Sequence, residues 1–113
     1  MSDLASGHQS RIILSEQPHL QYRADAMSKT LLLDALDHLK SGGFRMGDDA
    51  EKAHEICQSH EGEPMFDWIH ALVHRIEGDD WNAGYWYRRA GRDRHPGTIE
   101  EEWQAVRDEV EKG

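Results

Sequence analysis

Asp67, His70, His74 and Glu77 stand three, four and three residues apart. On a helix of 3.6 residues per turn those steps bring all four to one side. Imidazoles at i and i+4 can turn ring nitrogens toward one divalent ion, and a carboxylate one turn away can supply a third ligand. His70, His74 and Glu77 are therefore the candidate metal ligands. Ala71 occupies the place where the zinc-peptidase helix motif needs its general-base glutamate, so that peptidase chemistry lacks its base. Glu51-x-x-His54 and Asp67-x-x-His70 share the carboxylate-to-histidine step of carboxylate-bridged di-metal bundles, although the chain is short for that architecture. A purely structural arrangement satisfies the same residues: imidazoles at the edge of a helix pair, bonded to carboxylates and backbone, with Asp67 and His74 solvated.

The next stretch is aromatic and basic. On a helical wheel Trp81, Tyr85 and Arg88 line one side, and Ala83, Trp86, Tyr87 and Ala90 line the other. Aromatics on both sides imply either a helix buried all round or an exposed aromatic surface. Arg88, Arg89, Arg92 and Arg94 with His95 form a basic island in an acidic chain. Guanidinium forks match carboxylate and phosphate geometry, so Arg75, Arg88 and Arg89 beside Tyr85 and His74 can hold a small anion. They can equally pair with Asp79 and Asp80 or with Glu100 to Glu102. Asn82, Tyr85, Arg88 and Arg89 are the candidate ligand-binding residues, and no residue stands out as catalytic. Cys57 lies on an apolar stripe without a local base, which reads as a buried structural thiol. There is no serine nucleophile elbow, phosphate-cradling glycine loop or dinucleotide fingerprint. No organic cofactor is expected, and a divalent metal is the one cofactor the pattern admits.

Thirteen basic against 22 acidic residues leave a net charge of −9. That charge repels phosphate backbones and anionic lipid, so neither nucleic acid nor membrane is an expected partner. A small anionic ligand accommodated locally, or a protein partner that includes a second copy of the chain, fits better. Protonating all eight histidines would cancel all but one of the net negative charges, which predicts poor solubility in mild acid. The single cysteine forms no intrachain disulfide, no stretch resembles a signal peptide, and no apolar run approaches the roughly 20 residues of a membrane helix. A cytoplasmic location is expected.

These side chains need elements to position them. The expectation is an all-α fold: one compact domain of about five short helices arranged as hairpins, tetratricopeptide-like at most. A flexible or partly extended N-terminal arm (1–23), with one apolar knot at Ile12, Ile13 and Leu14, precedes the helical domain (24–113). Met27, Leu31, Leu32, Ala35, Leu36 and Leu39 predict a first helix that closes at Gly42-Gly43. A second begins at Asp48, with Asp48 as its cap and a stripe of Ala50, Ala53, Ile56 and Cys57. The third runs from about Met65 to Glu77 with Met65, Trp68, Ile69, Leu72, Val73 and Ile76 inward, and the fourth from about Asp79 to Gly91. Thr98-x-x-Glu101 is a capping box that opens the last, whose inner positions are Ile99, Trp103, Val106 and Val110.

Gly47-Asp48-Asp49 and Gly78-Asp79-Asp80 recur 31 residues apart. The run from Ile69 to Gly91 resembles the core of a group of short uncharacterised proteins carrying H-R-x-E-G-D-x-x-N-A-x-Y-W-Y-R-R-A-G. That likeness covers about a fifth of the chain and implies no activity. The glycine-aspartate turn before an Ala- and Tyr-rich helix is also similar to tetratricopeptide-like hairpins, although a third repeat is missing. The leading expectation is a helical binding or interaction module that uses its aromatic-arginine surface. The alternative is a small metal-dependent enzyme built on His70, His74 and Glu77.

Overall fold

Eight consecutive residues, Phe66 to Val73, are all buried, and a helix buried on every side must be the hub of its domain. The computed structural model of the chain describes residues 26–113, where five helices follow one another: α1 (26–41), α2 (Asp48–Gln58), α3 (Pro64–Ile76), α4 (Asp80–Ala90) and α5 (Ile99–Lys112). Together they form a compact all-helical domain. The expected N-terminal arm, its apolar knot and the start of the first helix at residue 24 lie outside the described residues. α3 packs against α2, α4 and α5. The wheel placed only its Met65-to-Ile76 stripe inward, whereas Asp67 and His70 are buried as well, at 1% and 2% exposure.

Local signals set most boundaries. Pro64 opens α3, where its fixed φ suits the first turn and its missing N–H is not needed. Gly78, at φ +79°, makes the left-handed step that ends α3, and the Asp79 carboxylate then accepts the Asn82 N–H to start α4. Thr98 and Glu101 form the complete reciprocal capping box on α5. The cap expected from Asp48 is not made. Gly47 takes the N-cap position with no side-chain bond, and the neighbouring Asp49 is drawn to His38 Nδ1 at 2.9 Å, tying α2 to α1.

α3 and α4 form an antiparallel hairpin: the Asp79 N–H bonds the His74 carbonyl at the turn, Trp86 meets His70 midway, and Arg92 lies over Trp68 at the open end. α4 is amphipathic, with Ala83, Trp86 and Tyr87 buried and Trp81 and Tyr85 exposed. α1 contributes Leu32, Ala35, Leu36 and Leu39 to the core, but Met27, expected on the same face, is 66% exposed.

α5 is fastened by polar groups as well as by its Trp103, Val106 and Val110 stripe. Trp103 Nε1–H donates to the Leu36 carbonyl at 2.8 Å, linking α5 to α1. Glu102, fully buried, accepts from Trp68 Nε1 at 2.9 Å and from Arg75 Nη1 at 2.7 Å, and the Tyr87 hydroxyl sits 2.8 Å from both its oxygens. Arg75 also donates to the Gly97 carbonyl. A buried carboxylate is tolerated only with its lone pairs filled, and this one joins α3, α4 and α5. Burial, followed by the bond to Glu102 and its charge, pushes the Tyr87 hydroxyl well above the usual phenol range. No described helix is long and apolar enough to cross a membrane.

Candidate metal centre

Two helices supply the imidazoles. His70 and His74 lie one turn apart on α3 with their rings stacked, centroids 5.1 Å apart. His54 comes from α2, one residue after the buried Ala53, and stands edge-on to both rings at 4.6 and 5.4 Å. Each of the three offers a nitrogen lying within 4.8 Å of the other two, and His54 Nε2 is 3.0 Å from His70 Nε2. Among the described residues this is the one group of three such side chains able to hold a metal ion. A tetrahedral zinc ion with bonds of about 2.0–2.1 Å spaces its ligand nitrogens about 3.4 Å apart, so side-chain torsions of modest size close the trio on an ion.

The surroundings are asymmetric. The indole of Trp86 stacks on His70 at 3.8 Å and seals its inner face. His54 and His74 are half-buried and lead to the surface. Glu77 Oε1 accepts from His74 Nδ1 at 3.2 Å. That bond fixes His74 with its proton on Nδ1 and leaves the Nε2 lone pair for an ion, the usual task of a carboxylate behind a metal-ligating histidine. His70 is pushed down to about 3 by burial first, and then by His54 and His74, so it is neutral and ligation-ready at neutral pH.

Of the residues singled out from sequence, His70 and His74 are brought together, and Glu77 stands behind His74 instead of in the trio. His54 enters from sequence through the Glu51-x-x-His54 di-metal step and not as a ligand shared with His74; its place beside the small, buried Ala53 and three residues before the buried Cys57 is the signal that it edges the α2–α3 contact. Asp67, which only the purely structural arrangement leaves in solvent, is buried with Oδ1 accepting the Gly62 N–H at 3.2 Å. Cys57 is fully buried, and burial with the charge of Asp67 pushes its thiol far above the ordinary range, so it supplies no thiolate.

Of the candidate ligand residues of α4, Tyr85 and Arg89 are brought together, and Asn82 is turned to the start of the helix. Asn82 is committed to Asp79 through both its backbone N–H and its side-chain amide. Arg89 donates to the Tyr85 hydroxyl at 3.1 Å and lies over the Trp86 ring at 5.3 Å, and Arg88 is exposed. Arg75 is taken by Glu102 and Arg94 reaches Asp80 at 3.4 Å, the intramolecular pairings open to them from sequence. No family model matches the chain, and no curated protein or solved structure matches it either.

Proposed function

We propose that this chain is a small metal-dependent enzyme whose ion is held by His54, His70 and His74, with Glu77 orienting His74. The observation that carries the reading is the convergence of three imidazole nitrogens from two helices within 4.8 Å at a half-buried face. Three protein ligands leave a tetrahedral ion one free position, the pattern of catalytic zinc sites, whereas structural sites are closed by four. An all-imidazole set suits zinc, copper, nickel or iron and disfavours magnesium and calcium, which prefer oxygen. An ion there supplies a Lewis acid for an oxygen of a small anionic or carbonyl substrate. The residues' own part is to hold and orient: Glu77 keeps the His74 proton on Nδ1, and Trp86 excludes water from behind His70.

The test is metal loading of the purified protein. One equivalent of zinc or cobalt(II) is expected to bind, with a tetrahedral cobalt spectrum and a raised Tm, and His70→Ala and His74→Ala should each lose it. Turnover of activated phosphate and carboxylate esters by the loaded protein then tests the catalytic half. Absence of uptake with an unmoved Tm would overturn the metal reading.

A second reading has its own support. Trp81 is 77% and Tyr85 38% exposed on the outer face of α4, beside exposed Arg88 and Arg89. Aromatics and arginine concentrate where surfaces are desolvated on binding. This face suits an interaction module for a small anionic ligand or a protein partner, a second copy included. Sedimentation across a dilution series tests the copy, and a monomer at every concentration with no anion-dependent change in Tm counts against this reading.

A further inference from the structure

Two buried side-chain atoms among the described residues have no hydrogen-bond partner, Asp67 Oδ2 and His70 Nδ1, and they belong to residues one turn apart on the same face of α3. Unpaired buried polar atoms are scarce in folded proteins and call for a reason. For His70 the reason lies in its contact with His54. Two Nε2 atoms at 3.0 Å require one to donate and the other to accept. If His70 donates, its Nδ1 is a buried lone pair without a donor; if it accepts, its Nδ1–H is a buried donor without an acceptor. Neither tautomer satisfies the ring while His54 is its partner.

An ion resolves this. With both Nε2 lone pairs directed at a metal, His70 must carry its proton on Nδ1 and needs an acceptor on that side. Asp67 offers a free carboxylate oxygen three residues earlier, and its Oδ1 is already anchored by the Gly62 N–H. The same α3 shows the finished arrangement one turn on, where Glu77, three residues after His74, accepts from His74 Nδ1. We propose that Asp67 is the positioning carboxylate for His70, taking the His70 Nδ1–H on Oδ2, directly or through one buried water, when the ion is bound. The two carboxylates then bracket the two ligands of α3, each fixing one imidazole. This inference rests on the metal reading above and adds a named role for a residue outside the ligand set.

The experiment titrates zinc(II) into wild-type protein and Asp67→Asn against a competing chelator, and follows the histidine ring protons by nitrogen-edited NMR. Asparagine retains an oxygen for the Gly62 N–H and puts an amide N–H where Oδ2 stood, facing donor with donor. Expected are zinc affinity about 10–100-fold weaker in Asp67→Asn, as for other residues that support a ligand, and an apo Tm no lower than wild type, because a buried carboxylate with an unpartnered oxygen is gone. Zinc should also bring out a slowly exchanging, downfield His70 Nδ1–H in wild type that is lost or shifted in the variant. A purely structural Asp67 would lower the apo Tm and leave that resonance untouched. Equal zinc affinity with an unchanged resonance overturns the role of Asp67 alone, whereas failure of wild type to bind zinc removes the metal reading first. If Asp67→Asn does not fold, the wild-type spectrum decides: a zinc-dependent Nδ1–H on His70 supports the inference, and its absence overturns it.

Discussion

His54 and His70 face each other through their Nε2 atoms at 3.0 Å, one from α2 and one from α3, so the site exists only where these helices pack. A ligand contributed by α2 must matter as much as the pair on α3. His54→Ala should therefore weaken zinc binding as severely as His70→Ala, and by more than the roughly 10–100-fold expected for Glu77→Gln, which touches no ion. Chelator competition ranks the variants, and a His54→Ala protein with wild-type affinity removes His54 from the site.

His70 also sets a pH dependence. Its folded value, pushed down to about 3, lies below the roughly 6.5 of an unfolded histidine. Above that unfolded value both states are neutral and the group contributes nothing. As pH falls from about 6.5 toward 3 the unfolded chain takes up a proton that the folded one refuses, and stability declines by up to about 1.4 kcal/mol per pH unit. Urea unfolding of the apo protein at pH 7, 6 and 5 should show this slope, reduced in His70→Phe, which keeps a ring against Trp86. Identical slopes in the two proteins would contradict the assignment.

Glu102 is the polar joint of the core. Glu102→Ala strands the Arg75 guanidinium, which is 11% exposed, together with the Trp68 N–H and the Tyr87 hydroxyl. Breaking a buried ion pair from one side costs about 3–5 kcal/mol. Tyr87→Phe removes one neutral donor and should cost about 1–2 kcal/mol, toward the upper end for a bond to a charged acceptor. Equilibrium denaturation separates the two, and a loss under 1 kcal/mol for Glu102→Ala, estimated on the same scale, would mean the network relaxes.

Cys57, sealed on the buried face of α2 with its thiol held protonated, should be inert to maleimide in the native state and react only as fast as the chain opens. Mass spectrometry with and without denaturant reads this directly, and rapid native labelling would show that the thiol is reachable.

Much of the fold is legible along the chain because helices are local. The Thr98 and Glu101 capping box, the Gly78 stop, the Ala50, Ala53, Cys57 stripe and the split of α4 into Trp86 and Tyr87 against Trp81 and Tyr85 all follow from neighbours within one or two turns. The same periodicity placed His70 and His74 together on α3 and put Glu77 within reach of His74.

What periodicity lacks is the neighbour. Three apolar stripes surround α3, so Asp67 and His70 are buried although they lie outside its strongest apolar face. Glu102 was one of three consecutive glutamates at a helix start, and only packing against Trp68, Arg75 and Tyr87 distinguished it from Glu100 and Glu101. His54 became the third imidazole for the same reason. The sequence by itself determined where the helices begin, end and turn their apolar faces, since those preferences act over 3.6-residue turns. Tertiary structure alone decided which side chains from different helices meet, because contact between residues 16 or 34 positions apart depends on how whole helices dock.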